Sequence, residues 1–596
     1  MPRDIFTVGP VLSFRGTGAG DVWQVTALIG VPLNTPAPTL HLDGRPVAEP
    51  VELLTHGGQT VLRYDLSCAQ GADERLVTYG VAPDGPEWQF TVPGRDYAPR
   101  MAFVSCNGFS DPKVMRQLSR PQDAVWTDLV LNHDAALRPA GYRLDREQLW
   151  HQHKVHDRGL QRFHLMLMGG DQIYFDSIWE DLPALKRWVS LSSDEQIKFQ
   201  VTRTLERQIA DYYLGRYAER WLPDGRARWA SGVVNGDAAD AMARIPTIMM
   251  WDDHDIFDGW GSYSPAMQAS PLFQTLFRHA RRAFWVFQLQ HRLEDLPELA
   301  PPSRGDLTAD TPFFAPIRWS DLRAGDPLLL PLLDGQPGFT STHHLGPVSL
   351  VVADLRTERA RTQILSQTTW SALQAWLATI RSDGRPAHPG QRCQHLVIMS
   401  SVPVMHPKLS LAEGFLDTFG QDHVQTGNAD DLRDHWSHGD HEGERTRLLH
   451  GLLQIAAQRR LRASFVSGDV HVAAWGSAYR RDVPPDANWA QIQQFTSSAV
   501  VHPAPTGMME RLFLAMLNNA ASKRQSIDIQ HSIEMMLFPG HDRYVMPARN
   551  WLALELDTAH DNPNGCRLWA SWRCETATGF SNHLQAVQPA EQIRDA

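Results

Sequence analysis

The chain reads as an α/β protein preceded by a β-rich segment, and three observations predict this. Short, continuous apolar runs at Met101–Val104, 163–168, 245–250 and 463–466 are compact enough to be strands buried on both faces. Helical patterns fill the intervals between them. The first ~98 residues alternate apolar and polar side chains between Gly, Pro and Asp turns, as short antiparallel strands do.

In chain order, strands are expected at 22–29, 39–47, 60–66, Arg75–Val81 and Glu87–Val92. Asp43-Gly44 marks a tight hairpin turn within the second. They suggest a small β-sandwich over residues 1–98, with packing or substrate access as its role. After Tyr97-Ala98-Pro99 the pattern changes to strand and helix over 99–596. Ser192 and Ser193, with Glu195 and Gln196 three residues on, form overlapping capping boxes, and Ile197, Val201, Leu205 and Ile209 then recur at helical spacing. Ser270-Pro271 opens another helix, and a third over 445–460 leads straight into the strand before Ser467. Further buried strands are expected at Val348–Ala353 and 395–399. The Met- and Leu-rich stretches 508–517 and 533–538 read as core or lid elements, since polar residues such as Glu510 and Arg511 interrupt any long apolar face.

With 596 residues the chain exceeds a single small core. A net charge of -11 disfavours nucleic acid as a partner. Cys68, Cys106, Cys393, Cys566 and Cys574 show no C-x-x-C spacing, so no disulfide framework is expected. No window approaches the ~18 apolar residues of a membrane span, and the amino terminus lacks a basic region followed by an apolar stretch. These features lead to the expectation of a cytoplasmic protein without a membrane span.

A polar cluster directly follows each of the four apolar runs, which is where open α/β sheets collect their chemistry. The clusters are Ser105-Cys106-Asn107, Gly170-Asp171-Gln172-Ile173-Tyr174, Trp251-Asp252-Asp253-His254-Asp255 and Ser467-Gly468-Asp469-Val470-His471. Two glycines ahead of Asp171 let the backbone turn sharply and aim the carboxylate into a cleft, and Tyr174 follows three residues on. Three carboxylates and an imidazole after a buried strand are costly to hold together without a cation or donors, although solvated acids at a helix N-terminus would also read this way. Asp469 and His471, two apart, would share a side if the segment were extended. Cys106 is either a small buried apolar residue or a thiolate ligand. Together the clusters point to a two-metal hydrolase.

These motifs, in this order and across nearly the whole chain, resemble the PhoD-like alkaline phosphatase family of metallophosphoesterases, and the preceding β-rich segment is similar to that family's amino-terminal sandwich. The resemblance implies a four-layer α/β/β/α domain with a metal centre of the purple-acid-phosphatase kind, helical insertions and a C-terminal lid or tail. By motif, Cys106, Asp171, Tyr174 and His471 would surround a ferric ion. Asp171 would bridge to a second site, calcium in this family, completed by Asp253 and Asp469, with zinc or manganese as alternatives. His254 and Asp253 would act in catalysis, and His254 and Asn107 would stand beside the phosphate. Arg356, in Ala353-Asp354-Leu355-Arg356-Thr357-Glu358-Arg359, would clamp the phosphate bidentately, with a surface salt bridge as the alternative. Residues 434–438 with Glu444-Arg445 resemble the loop shaping the family's active-site mouth.

The implied activity is hydrolysis of a phosphodiester or phosphomonoester by a metal-activated water. Its substrate would be a small organic phosphate or a polyol-phosphate chain, selected by the insertions at 176–244 and 259–346. No protein partner is implied. Two departures stand out. Asp255 occupies the place where the family usually carries glutamate, and the family's common twin-arginine leader does not appear. The histidine-rich stretches 151–156 and 435–441 read as solvated loops. A non-catalytic phosphate- or metal-binding protein is the alternative reading, and a hydrolase of amides or esters a third. His254 as proton donor weighs against the former, and the Tyr and Cys ligands weigh against the latter.

Overall fold

The computed structural model describes residues 6–18, 20–81, 85–95, 98–109, 118–134, 162–221, 236–300, 313–323, 329–380, 393–407, 436–483, 490–504, 508–556 and 566–590. Within them the chain is a mixed α/β protein dominated by two large sheets. In the first, Met101–Val104, Leu165–Gly169 and Thr247–Met250 run parallel and adjacent, with Val104 opposite Met168 and Gly169 opposite Met250. In the second, Val348–Ala353, His395–Ser400, Arg462–Ser467 and Gln491–Ser497 are parallel, with Ala353, Ser400, Ser467 and Thr496 aligned across them. In each sheet the parallel register brings the loops after these strands to one edge, as expected from the carboxyl-end rule.

The continuous apolar runs follow from burial on both faces. Met101, Phe103, Leu165, Leu167 and Met250 of the first sheet share a core with Val348, Leu350, Val352, Val397, Met399 and Val466 of the second. The alternate residues Ala102, Val104, Met166 and Met168 join a different core, which holds Leu205 and Ile209 of the Arg203–Arg220 helix and Phe277 and Phe284 of Pro271–Phe287. Val351, Leu396, Ile398 and Phe465 face a third core with Trp370 and Leu373 of Gln367–Thr379 and Leu448, Leu449 and Leu452 of Glu442–Arg459.

The amino-terminal strands do not end where the sequence pattern changes. Val8–Gly18, an eleven-residue strand that the sequence reading left out, pairs with Val22–Pro32 and meets Thr247–Met250 in parallel through Ser13 and Thr247. The first sheet therefore continues from the segment expected to form a sandwich into the strands that carry the polar clusters. Gln290 fastens this seam: its amide donates to the Val11 carbonyl (2.8 Å), its side-chain oxygen accepts from Thr26 (2.7 Å), and its backbone carbonyl accepts from Arg15 (3.0 Å). A smaller four-stranded sheet holds Leu40–Leu42, Arg45–Pro46, Arg75–Val81 and Glu87–Val92. Its hairpin turns at Asp43 and Gly44, both at positive φ, as the Asp-Gly pair predicts.

Three further expectations are corrected. The single helix read through Ile197, Val201, Leu205 and Ile209 is two. Ser193–Lys198 stops at Phe199, whose backbone turns extended, and Thr202 caps a new helix by accepting from the Leu205 N–H. The capping box at Ser192 and Glu195 is present. The stretch 533–538 begins as part of the strand His531–Met536, pairing with Ala473–Arg480 while Met508–Ala521 is a helix. In the stretch 435–441, His438 and His441 are buried, so this is no solvated loop. Residue 435, the neighbouring 434, Tyr97 and the stretch 151–156 lie outside the described residues.

Candidate metal centre

The four sequence clusters meet. Carboxylate oxygens of Asp171, Asp252, Asp253 and Asp469 lie within 4.8 Å of one another, and Asp171, Asp253 and His254 form an overlapping group of the same tightness. The Cys106 thiol reaches Asp171 Oδ2 at 3.5 Å and shares a 3.1 Å hydrogen bond with Ser498 Oγ. Each loop turns abruptly off its strand. Cys106, Asp171, Asp469 and His471 all adopt positive φ between 52° and 68°. Such backbone costs roughly 1–3 kcal/mol per non-glycine residue and gathers where function holds it in place. Glycine permits the close approach: a side chain at Gly170, itself at φ 101°, would strike Asp252 Cβ, and one at Gly468 would strike Ser105.

Asp255 is the post that holds two of these loops. Its carboxylate accepts from the backbone N–H groups of Asp171 (2.8 Å), Ile173 (3.1 Å) and Asp252 (3.0 Å) and from the Gln288 amide (3.0 Å). Burial pushes its pKa up to about 7 against the lowering effect of these donors. The acids of the Trp251–Asp255 cluster are therefore not solvated: Asp252, Asp253 and Asp255 are all buried, and only one 3₁₀ turn, Asp253–Asp255, follows the strand.

The electrostatics call for positive charge. Burial, with Asp252, Asp253 and Asp255 nearby, raises the Asp171 carboxyl well above its ordinary range even though His254 lowers it. Burial also raises the Tyr174 phenol and the Cys106 thiol, and Asp171 adds to both shifts. For His254 burial alone would act downward, but Asp176, Asp253 and Asp171 outweigh it and hold the ring well above the usual imidazole range. Two atoms are diagnostic: Asp171 Oδ1 and the Tyr174 phenol oxygen are fully buried with no hydrogen-bond partner. A buried polar atom without a partner costs about 1–3 kcal/mol. Cations in contact with these oxygens would remove that cost, so thiolate, phenolate, carboxylate and imidazole groups here fit metal ions.

His254 Nδ1 is 2.9 Å from Asp176 Oδ2, and its ring stacks on Tyr174 with centroids 4.3 Å apart. Asp176 is itself fixed by the Asp258 N–H at 2.7 Å. Asn107 is buried, with its side-chain oxygen accepting from Trp126 Nε1 at 2.9 Å and its backbone N–H donating to the Asp171 carbonyl at 2.8 Å. His471 and His502 stack at 3.6 Å, and burial followed by His502 and His254 lowers the His471 pKa.

Arg356 requires correction. It is neither a surface salt bridge nor open to bidentate capture of a phosphate. Its side chain is fully buried, and it donates to Asp252 through Nε, to Asp253 at 3.2 Å and to the Trp260 carbonyl at 3.1 Å. Its charge is used to hold two carboxylates together. Glu444, expected in the mouth loop, lies in the helix Glu442–Arg459 and is likewise engaged within the molecule: it accepts from the N–H groups of Ile364 (2.6 Å) and Leu365 (3.1 Å) and from Trp370 Nε1 (3.2 Å). The segment at Asp469 is not extended either, because both Asp469 and His471 turn left-handed.

Sequence reading missed Asp252 as a member of the cluster, Asp176 as the partner of His254, and Ser498 and His502. Asp252 and Asp176 stand inside or just beyond the quoted motifs, where ligand and support roles look alike. Ser498 and His502 follow the strand Gln491–Ser497, whose polar character hid it.

A model of the PhoD related phosphatase family matches residues 141–302 and 411–529, segments that contain Asp171, Tyr174, Asp253, His254, Asp469 and His471 and leave out Cys106, Asn107 and Arg356. The chain is also similar to the uncharacterized protein YGR266W of Saccharomyces cerevisiae, with 29% identity over 449 residues, which is 70% of this chain and 56% of that protein. It thus spans about half the length of the curated relative it matches. The two matched segments, with the convergence of their acidic and histidine residues, support assignment of the chain to a PhoD-like phosphatase family.

Proposed function

We propose that this protein is a metal-dependent phosphoesterase that hydrolyses P–O bonds of phosphodiesters or phosphomonoesters. The observation that carries the reading is the pair of buried, partnerless oxygens on Asp171 and Tyr174 within a converging set of carboxylates. In this reading Cys106, Asp171, Tyr174 and His471 hold one ion, ferric iron, and Asp171, Asp253 and Asp469 hold a second, calcium. Asp252 is an added candidate ligand. Such ions supply Lewis acidity, activating the attacking water and neutralising charge on the phosphoryl oxygens.

The chain's own residues do the rest. Asp176 holds His254 Nδ1 and leaves Nε2 to donate a proton to the leaving oxygen or to contact the phosphate. Arg356 acts as a positioning residue behind Asp252 and Asp253, and Asn107, anchored by Trp126, lines the substrate side. The sharing of cores between the sheets and their outer helices supports a four-layer α/β/β/α arrangement over 99–596, with 1–98 as an accessory region edge-joined to it. A small organic phosphate or a polyol-phosphate chain is the proposed substrate class, and the cytoplasm the proposed location. Among the described residues no helix is long and apolar enough to cross a membrane.

The test is an assay against an aryl phosphodiester and the matching monoester, with chelator and with iron or calcium restored. Turnover that is chelator-sensitive and lost in Asp171→Asn supports the proposal. Absence of turnover with every metal at full occupancy would favour a phosphate- or metal-binding protein.

A further inference from the structure

Away from the sites already described, three side chains from two separate parts of the chain, a helix and a hairpin, converge. His450 belongs to the Glu442–Arg459 helix, Asp528 to the turn between Gln525–Ser526 and His531–Met536, and His531 begins the latter strand. His450 Nε2 is 2.7 Å from Asp528 Oδ2, and His531 Nδ1 is 3.0 Å and 2.9 Å from the two Asp528 oxygens. The imidazole centroids are 4.3 Å apart. Each residue offers a ligand atom, all within 4.8 Å of one another.

Two features distinguish this cluster from a casual surface ion pair. Its elements are held rigidly: Leu448, Leu449, Leu452 and Leu453 of the helix and Ile533 of the strand are buried in one shared apolar core, with Ile527 packed against it. The carboxylate is also preset, because the backbone N–H groups of Gln530 (2.6 Å) and His531 (2.7 Å) both donate to Asp528 Oδ1, leaving Oδ2 toward the imidazoles. Two imidazoles and one carboxylate make a donor set suited to zinc or a neighbouring first-row divalent ion. Around zinc, tetrahedral ligand atoms lie about 3.3 Å apart, so small side-chain rotations would close the present spacing. The His450 side chain is 41% exposed, so water has access to complete the coordination.

We propose that His450, Asp528 and His531 form a second, independent binding site for one first-row divalent ion, zinc being the best fit. The ion would clamp the helix to the hairpin. That helix leads directly into Arg462–Ser467, the strand whose following loop carries Asp469 and His471, so the clamp would brace the element behind the candidate active centre without taking part in it.

The test uses the full chain, stripped with chelator and titrated with Zn2+ by calorimetry, with bound metal counted by elemental analysis and melting followed with and without zinc. Wild type is expected to bind one equivalent more than a His450→Ala/His531→Ala variant and to melt several degrees higher with zinc, a rise the variant lacks. If that variant fails to fold in chelator, Asp528→Asn replaces it: the amide oxygen still accepts from Gln530 and His531, but the anionic ligand is gone. Equal stoichiometry and equal zinc response in wild type and a folded variant would overturn the proposal and leave a hydrogen-bonded His-Asp-His network. Comparison in an Asp171→Asn background separates this outcome from any failure at the candidate active centre, because the difference between the paired proteins must persist there.

Discussion

Asp176 shows how little of a site's logic is visible in residue type. Nothing in its own position marks it as more than a loop acid, yet it is placed to hold the Nδ1 edge of His254. Removal of such an orienting partner typically costs about 10–100-fold in activity or metal affinity. Asp176→Ala is therefore expected to lower kcat about 10–100-fold while bound metal, counted by elemental analysis, stays at the wild-type level. Loss of metal together with activity would instead make Asp176 a ligand support. Ligand-type residues such as Asp171 and His471 were legible because each directly follows a buried strand. The role of Arg356 was not, because only the folded chain brings it against Asp252 and Asp253, more than a hundred positions away.

At the scale of the element, the strands with continuous apolar runs were legible nearly to the residue. Met101–Val104 and Val348–Ala353 are predicted and observed with the same bounds. Val8–Gly18 was hidden because its glycines, proline and arginine break the pattern, and Arg15 finds partners in Thr26 of the next strand and in Gln290 and His291 far along the chain. The helix break at Phe199 was hidden for a similar reason, since the apolar spacing runs on through it. Thr202 is the cap that starts the second helix, and replacing such a cap by alanine costs about 1 kcal/mol. Thr202→Ala is expected to lower the unfolding free energy by that amount, read as a lower urea midpoint at an unchanged m-value. An unchanged midpoint would mean the interhelix junction is set by packing alone.

Across the whole molecule burial disfavours the charged form of several imidazoles. His343, in Ser341–Leu345 of the second sheet, faces Phe14 of the first with ring centroids 5.8 Å apart, and burial, then His344, lowers its pKa to about 3. The unfolded chain, near 6.5, takes up a proton that the folded chain refuses between pH 6.5 and about 3. Stability from this residue is complete above 6.5 and is lost as pH falls through that window, at up to about 1.4 kcal/mol per pH unit. His133 and His291, also lowered by burial, add with the same sign. His343→Leu is expected to reduce the slope of unfolding free energy against pH between 6 and 4, measured by chemical denaturation. A slope equal to wild type would show that His343 already binds a proton in the fold.

By itself the sequence determined the α/β class, the central strands and the four clusters at their ends, because burial on both faces and abrupt polar turns leave local marks. Tertiary structure alone decided that the amino-terminal strands continue the first sheet and that Arg356 binds carboxylates within the molecule. It also decided that Asp252, Asp176, Ser498 and His502 stand beside the named residues and that His450 meets Asp528 and His531. Each of these depends on contacts between segments distant in the chain, whose partners are chosen by packing and charge compensation in three dimensions and leave no periodic trace in one.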